Sequence, residues 1–394
     1  MEAAVIADDL TGAADTGMQF ARAGYRTAVA FRGAEMNLSD LDAVAFDTDS
    51  RLAPPDSAAE RVAEAVRTVR DACILYKKMD STLRGNAAAE LAAALEASGR
   101  ERAVVAPAFP DAGRTTAGGV QLVHGVPVHE TGLRDDPKTP VVEGHVPTLL
   151  SEEFAAVGML DVEDLSDPAS VRRTLEKNRC VVADARSNAD LEALVRAVPD
   201  PSEVLWAGSA GLAMALAGRY PGPRAGETPA ASAAARGVLV VIGSLSGASR
   251  EQLRRLVERR GAVAAPVAGR QGVEDAVAAA RTVLENSGCA VLHSPEERVP
   301  SGGGPAVTLL ADVAVRLAGE GLFDALVATG GATAVAVARR LGASGMRLEG
   351  EVEAGAPVGT LIGPEPYRIV TKAGGFGNPD TLVRAVEMLE TGEE

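Results

Sequence analysis

Aromatic side chains make up only 3% of the 394 residues, with a single tryptophan. The interior must therefore be filled mainly by Ala, Val and Leu, which suits a soluble α/β enzyme. Basic residues are also in deficit, 39 Lys and Arg against 54 Asp and Glu, giving a formal net charge of −15. That balance argues against a nucleic-acid or anionic-membrane partner, since either needs a basic face. It leaves an anionic small molecule open, because such a ligand answers to a local site. Cysteine is scarce: Cys73, Cys180 and Cys289 are odd in number, far apart and beside apolar runs. The expectation is buried free thiols in a reducing compartment, not a disulfide framework. His124, His129, His145 and His293 show no metal-ligand spacing; His124 and His129 fall on a loop stretch, where turn or surface roles are favoured over lining a pocket. No apolar run reaches the roughly 18 residues of a membrane span, and no signal-peptide pattern precedes the first strand, so the expected location is cytoplasmic.

The length and the 46% hydrophobic content allow two domains with full cores. Short apolar runs at Ala3–Ala7, Thr27–Phe31, Ala43–Phe46, Cys73–Tyr76, Ala103–Ala106 and Cys180–Ala183 alternate with helical stretches. This is the pattern of βαβ units and a mostly parallel sheet. A segment rich in Pro, Gly, Ala and Thr then leads to a second series of strand, small-residue loop and helix. The predicted fold is α/β with two domains, each a mostly parallel sheet flanked by helices. Residues 1–220 form the first, 221–236 a linker and 237–394 the second. In the stretch 113–150 periodicity lapses and Gly, Pro, His and Asp accumulate; Thr116–Gly119 and Arg134–Pro137 within it are read as loops over the active edge. The run Gly302-Gly303-Gly304 is read as a loop, since no strand leads directly into it.

The chain is organised around Ile6-Ala7-Asp8-Asp9-Leu10-Thr11-Gly12. A buried strand runs into two adjacent carboxylates and a helix start. One Asp there is an ordinary N-cap; two like charges side by side call for a cation, a metal or a substrate hydroxyl. Other strands are followed by Asp47/Asp49/Arg51, Lys77/Lys78/Asp80/Arg84, Asp111/Arg114 and Asp184/Arg186. Parallel strands end on one edge, so these groups are expected to converge into a two-signed site for a small hydroxylated anion. Arg84 and Arg114 suit a substrate carboxylate, because guanidinium pairs with it bidentately, or they pair with Asp80 and Asp111. Lys77 and Lys78 point to opposite faces of a strand, and Lys78 is favoured for the site. Asp80, Ser81 and Asn86 suit substrate hydroxyls, Asn86 also being a natural N-cap.

In the second domain, three loops deliver small residues to helix starts or follow a strand: Gly243-Ser244-Leu245-Ser246, Thr329-Gly330-Gly331-Ala332-Thr333 and Lys372-Ala373-Gly374-Gly375-Phe376-Gly377. Free N–H groups at helix starts favour an anion, and glycine lets backbone approach phosphate oxygens. Ser244, Ser246, Thr333 and Lys372 in these loops point to a nucleotide di- or triphosphate. The Lys-Ser/Thr ending of a Walker loop is absent, as is the Gly-x-Gly-x-x-Gly fingerprint of dinucleotide dehydrogenases.

The opening Asp-Asp-Leu-Thr-Gly segment, Lys77-Lys78-Met79-Asp80-Ser81-Thr82-Leu83-Arg84-Gly85-Asn86, Pro107-Ala108-Phe109-Pro110-Asp111-Ala112-Gly113-Arg114-Thr115-Thr116 and the C-terminal glycine pieces resemble, in order, the four-carbon acid sugar kinase family. The resemblance implies a sugar-acid-binding N-terminal domain, a C-terminal domain holding ATP on the three loops (Ser244, Ser246, Gly330, Gly331, Ala332, Thr333, Lys372, Gly374, Gly375), and phosphorylation of threonate, erythronate or 3-oxo-tetronate in a cleft between the domains. Asp9 is assigned as the base and Asp8 as the holder of a neighbouring hydroxyl or metal-bound water, with the reverse left open. Mg²⁺ is expected with the nucleotide on general grounds, with no ligand set legible. The sequence departs from the family at Ala332, where members usually carry an acid. A kinase for another small hydroxy acid or sugar, or a non-catalytic nucleotide- and sugar-acid-binding protein, stays as the alternative. Homo-oligomerisation stays open.

Overall fold

The computed structural model describes residues 1–226, 233–261, 263–267, 269–295 and 304–392. Part of the expected 221–236 linker, and Gly302 and Gly303, lie outside them. The chain divides into two compact units. The first takes Met1–Arg32 and Asn37–Gly226; the second takes Gly33–Met36 and the described residues beyond Gly226.

The first unit runs β1 (Ala3–Ala7), α1 (Leu10–Arg22), β2 (Thr27–Phe31), β3 (Ala43–Asp47), α2 (Pro55–Val69), β4 (Ile74–Lys78), α3 (Ala87–Ser98), β5 (Arg102–Ala106), β6 (Arg114–Ala117), β7 (Val120–Val123), β8 (Val126–Pro127), α4 (Val146–Leu150), β9 (Val157–Leu160), α5 (Pro168–Lys177), β10 (Cys180–Ala183), α6 (Asn188–Ala197), β11 (Val204–Gly208) and α7 (Ala210–Arg219). Its main sheet has the order β2-β3-β1-β4-β11-β5-β10-β9, all parallel. Every residue of β1, β2, β4 and β11 is buried, as expected of parallel strands covered on both faces. The connection from β1 to β2 and that from β3 to β4 run in opposite directions across the sheet. Right-handed crossovers therefore place α1 on one face and α2 on the other. Accordingly α1 packs on α7 and α7 on α6, while α2 packs on α3.

The stretch 113–150 is not a plain loop. β6, β7 and β8 form a small antiparallel sheet, and α4 is a single short helix. The hydrophobic pattern misses this sheet because its inward positions include two buried polar residues, Thr116 and Gln121. The cysteines also divide: all three are free, Cys180 and Cys289 are buried, but Cys73 is exposed, because β4 starts one residue later, at Ile74. Burial pushes the Cys180 thiol up to about 12.

The second unit runs β12 (Val238–Ile242), α8 (Gly247–Arg260), β13 (Val263–Pro266), α9 (Gly269–Ser287), β14 (Cys289–His293), α10 (Gly304–Gly319), β15 (Ala325–Thr329), α11 (Gly331–Arg340), β16 (Gly345–Glu353), β17 (Ala356–Ile362), β18 (Arg368–Lys372) and α12 (Thr381–Thr391). Its strands are ordered β13-β14-β12-β15-β18-β17-β16. The first five are parallel, whereas β17 pairs antiparallel with both β18 and β16. Its core joins Val240, Ile242, Val291, Val327 and Val370 of the sheet to Leu256 of α8 and Leu382 and Val386 of α12. No helix among the described residues is long and apolar enough to cross a membrane.

Candidate active site

In the first unit the chain leaves β1 towards β2 on one side, while β4 lies on the other. Such a reversal of strand order opens a crevice beyond the carboxyl ends of the strands. Asp8 and Asp9 emerge there from β1. Asp9 caps α1, its Oδ1 accepting the Gly12 N–H at 2.7 Å. A Cβ on Gly12 would lie 2.8 Å from that oxygen and 3.3 Å from Lys78 Nζ, so glycine lets both charges close on the first turn.

Arg51, a few residues past β3, is the hub. Its Nε and Nη2 donate to Asp8 Oδ2 and Oδ1 at 2.6 and 2.9 Å, a bidentate pair, and its Nη1 donates to Asp9 Oδ2 at 2.6 Å. Nη2 also lies 3.3 Å from Asp80 Oδ2. From the end of β4, Asp80 turns its Oδ1 to the Thr82 N–H at 2.8 Å and receives Arg84 Nη2 on Oδ2 at 2.8 Å. Between them Leu83 takes the left-handed conformation with φ +61°. That conformation costs a non-glycine residue on the order of 1–2 kcal/mol. Burial of its side chain and its N–H bond to Asp80 O hold it there.

The carboxylates differ in depth: the Asp8 side chain is 3% exposed and that of Asp9 29%. Burial would raise the Asp8 carboxyl, but Arg51, with Lys77 and Lys78 behind it, holds it below its ordinary value. Asp9 is pushed up, by burial and by the Asp8 charge, against the pull of Arg51, Lys78 and the Gly12 N–H. Asp80 is lowered by Arg51 and Arg84 in spite of its burial. Asp8 is thus the deeper carboxylate, with its charged form favoured, and Asp9 the more exposed one, with its proton held more readily.

The two lysines part as expected. Lys77 turns away to a buried ion pair with Glu90 of α3 at 2.8 Å, and Lys78 lies beside Gly12, donating to Met79 O at 2.7 Å. Ser81 is half-buried beside Asp80. Asn86 stands at the N-cap of α3 but makes no capping bond; its amide spends both protons on Ser50 O and Ala53 O. Arg114 donates to Ala112 O and, among the described residues, joins none of the site's ion pairs.

The expected convergence along the whole edge is corrected. Asp184 accepts the N–H groups of Gly118 and Gly119, and Asp111 accepts from Asn188 at 2.8 Å. Their strands lie away from the β1/β4 crevice, β10 being three strands from β4, or roughly 14 Å at the usual spacing. Arg51, expected among the converging strand-end groups but given no role of its own, is the residue that joins three carboxylates. Its signal was the position after β3, which becomes telling only once β3 is known to flank β1. The histidines serve turns and local contacts: His124 is left-handed at φ +50° after β7, and His145 Nδ1 meets Thr148 Oγ1 at 2.7 Å. No group of three or more His, Cys, Asp or Glu among the described residues could hold a metal ion.

In the second unit the order reverses at β12, with β14 on one side and β15 on the other. The loops after β12, β15 and β18 meet there. Ser246 caps α8, accepting the Ser249 N–H at 3.1 Å and donating to Gly374 O. Ser249 Oγ donates to the same carbonyl at 2.7 Å. Gly330, at φ +93°, precedes the first turn of α11 and donates its N–H to Lys372 O at 2.8 Å. A Cβ on Gly374 would lie 2.3 Å from Ser244 Oγ, and one on Gly243 2.0 Å from Thr333 Oγ1. Lys372 donates to Ala373 O at 2.7 Å and Phe376 O at 2.8 Å, and burial lowers its ammonium to about 8. Gly331 and exposed Ala332 form the first turn of α11, Thr333 being buried, and Gly375 is exposed. The loops thus offer two helix starts and a lysine, with no carboxylate in the first turn of α8 or α11.

Residues 3–216 match the family of sugar-binding N-terminal domains, and residues 239–382 that of nucleotide-binding C-terminal domains. A D-threonate kinase from Bordetella bronchiseptica is 38% identical over 406 aligned positions, covering 98% of this chain and 96% of its own. The chain belongs to the four-carbon acid sugar kinase family. Another of these kinases, a 3-oxo-tetronate kinase from Methylobacterium radiotolerans, is 32% identical, with 98% of each chain covered. A crystal structure of a protein from Salmonella typhimurium LT2 superposes with a TM-score of 0.84 at 25% identity, covering 97% of this chain and 98% of that one. Within this four-carbon acid sugar kinase, the sugar-binding match contains the Asp8–Arg51–Asp80–Arg84 cluster and the nucleotide-binding match contains the three small-residue loops.

Proposed function

We propose that the protein is an ATP-dependent kinase that phosphorylates the terminal hydroxyl of a four-carbon sugar acid of the threonate, erythronate or 3-oxo-tetronate class. The observation that carries this reading is the pair of chemically opposite loop sets. One gathers three carboxylates with Arg51, Arg84 and Lys78; the other offers helix starts and Lys372. Names of relatives with nearly full coverage support the substrate class.

Arg84 is the residue for the substrate carboxylate. Its side chain is 30% exposed and bound on one side by Asp80, leaving guanidinium donors to spare. Lys78, Ser81 and Asp80 hold hydroxyls beside it, with Asn86 offering only its carbonyl oxygen, and Arg114 closing the site from the loop after β5. Asp9 accepts the proton of the attacking hydroxyl, its raised pKa suiting that task, and Asp8 keeps Arg51 fixed in place. Phosphoryl transfer otherwise asks for positioning and for neutralised charge. Ser244, Ser246, Gly330, Gly331, Thr333, Lys372, Gly374 and Gly375 hold the nucleotide phosphates. Mg²⁺ comes with them, being bound largely by phosphates and water in such sites.

Ala332 favours a second reading, a protein that binds nucleotide and sugar acid without turnover. The residue is exposed on the first turn of α11, at the position where the family resemblance implies an acid. ADP release from Mg-ATP across D- and L-threonate, D- and L-erythronate, their 3-oxo relatives and glycerate separates the two. Strong turnover with one four-carbon acid is expected; nucleotide binding with no turnover on any acid would sink the kinase reading.

A further inference from the structure

Gln121, in the middle of β7, is fully buried, and all of its polar atoms are used. Its Nε2 donates to Ser81 O at 2.7 Å and, more weakly, to Pro107 O at 3.4 Å. Its Oε1 accepts the Thr116 hydroxyl at 2.7 Å. A carbonyl oxygen can only accept, so the end facing Ser81 and Pro107 must be the amide NH₂, and the Thr116 hydroxyl holds it that way round.

The frame behind this side chain is firm. Thr116 exchanges both backbone hydrogen bonds with Ala185, at 2.9 and 3.1 Å, and the turn between β6 and β7 donates Gly118 and Gly119 N–H groups to buried Asp184. The Gln121 N–H donates to Gly144 O at 2.8 Å. A side chain of the small antiparallel sheet thus grips the backbone of two segments at once. One begins at Asp80 and ends at Arg84; the other leads from Pro107 to Arg114. The gripped Ser81 carbonyl lies between Asp80 and left-handed Leu83, at the point where a rotation of the peptide would re-aim Arg84.

We propose that Gln121 is a positioning residue for the sugar-acid site: through the Ser81 carbonyl it sets the angle at which Asp80 and Arg84 enter the crevice, without touching the substrate. The proposal rests on the reading of Arg84 as the substrate-carboxylate residue. It explains why a polar side chain occupies a fully buried position in a sheet that, among the described residues, makes no other hydrogen bond to the Asp80–Arg84 turn.

The test uses the full chain with Gln121→Met, which keeps the volume and loses the amide, and Thr116→Val and Thr116→Ser, which remove or retain the hydroxyl that orients it. Hydrogen exchange without ligands compares the peptide 79–86 with peptides from α1 and β11, and steady-state kinetics gives the KM for the accepted sugar acid and for ATP. Gln121→Met is expected to speed exchange in 79–86 alone. It should raise the sugar-acid KM by about tenfold, the worth of one buried hydrogen bond, with the KM for ATP unchanged. Thr116→Val should do the same more weakly, and Thr116→Ser should behave as the parent. Unchanged exchange in 79–86, a uniform rise across the first unit, or an unchanged sugar-acid KM would each overturn the proposal. If Gln121→Met does not fold, the two Thr116 variants decide by the same readouts. If the parent protein phosphorylates no sugar acid, the kinase reading fails by itself, and the exchange experiment alone judges Gln121.

Discussion

Removing the Arg51 guanidinium puts the electrostatic account of the site at risk most directly. Arg51→Met keeps the aliphatic stem but takes both side-chain donors from Asp8 and one from Asp9. Asp80 keeps Arg84, and Asp9 keeps the Gly12 N–H and part of its hydration, so the damage concentrates on Asp8. Stranding a buried charge by removing its partner costs about 3–5 kcal/mol, and with only one carboxylate fully stranded the expected loss is about 3 kcal/mol at pH 7.5. The pH dependence has a definite sign. In the parent, Asp8 is held below its ordinary pKa, so it contributes stability above its unfolded value and loses it as the pH falls through the lowered one. In the variant, burial acts with less opposition and raises the carboxyl, so the folded state weakens as the pH climbs through that raised value. The gap between parent and variant therefore widens from pH 4.5 to pH 7.5. Equilibrium urea unfolding can follow it through Trp206, the one tryptophan, fully buried in β11 of the first unit, so the signal reports that unit. A loss under about 1 kcal/mol, the range of solvated surface pairs, or a gap independent of pH, would refute the reasoning.

Asp9→Asn keeps a good N-cap and removes the base; stability should move by less than about 0.5 kcal/mol while turnover falls about 100-fold or more, with nucleotide affinity by calorimetry unchanged, and turnover within fivefold of the parent would remove Asp9 from its role. Arg84→Ala should raise the sugar-acid KM by tens-fold, as expected for about 2 kcal/mol of charged hydrogen bonding, and leave the KM for ATP alone. Lys372 is expected to lose its proton as the pH passes about 8, so the KM for ATP should rise between pH 7 and 9 in the parent, and be higher and flat in Lys372→Met. The same lowered pKa means that stability of the second unit gains from this group as the pH rises from about 8 towards its unfolded value, which thermal unfolding across that window checks by its sign. Gly374→Ala places a methyl 2.3 Å from Ser244 Oγ and should raise the KM for ATP about tenfold or more without moving the sugar-acid KM.

The parallel strands were legible because burial on both faces writes them as unbroken apolar runs, Ala3–Ala7 and Val238–Ile242 being the plainest. Of the strands missed, β9 and β13 are parallel strands of only four residues at the ends of their strand orders, and the rest are antiparallel. β6 and β7 bury Thr116 and Gln121 where a pattern reader expects apolar residues, and in β16 buried Met346 and Leu348 alternate with half-buried or exposed polar neighbours rather than forming a run.

The site divides along the same physical line. Asp8 and Asp9 directly follow β1, Lys78 ends β4, and Asp80 and Arg84 lie in the turn after it, so local sequence already set them at the ends of two strands that prove to be neighbours. Arg51 required knowledge of strand order, since only the sequence β3-β1-β4 across the sheet carries it onto three carboxylates supplied by two other strands. The same rule explains the false members: Asp111 and Asp184 also follow strands, yet they belong to β5 and β10, beyond the reversal point, and there a carboxylate serves to tie down a neighbouring loop.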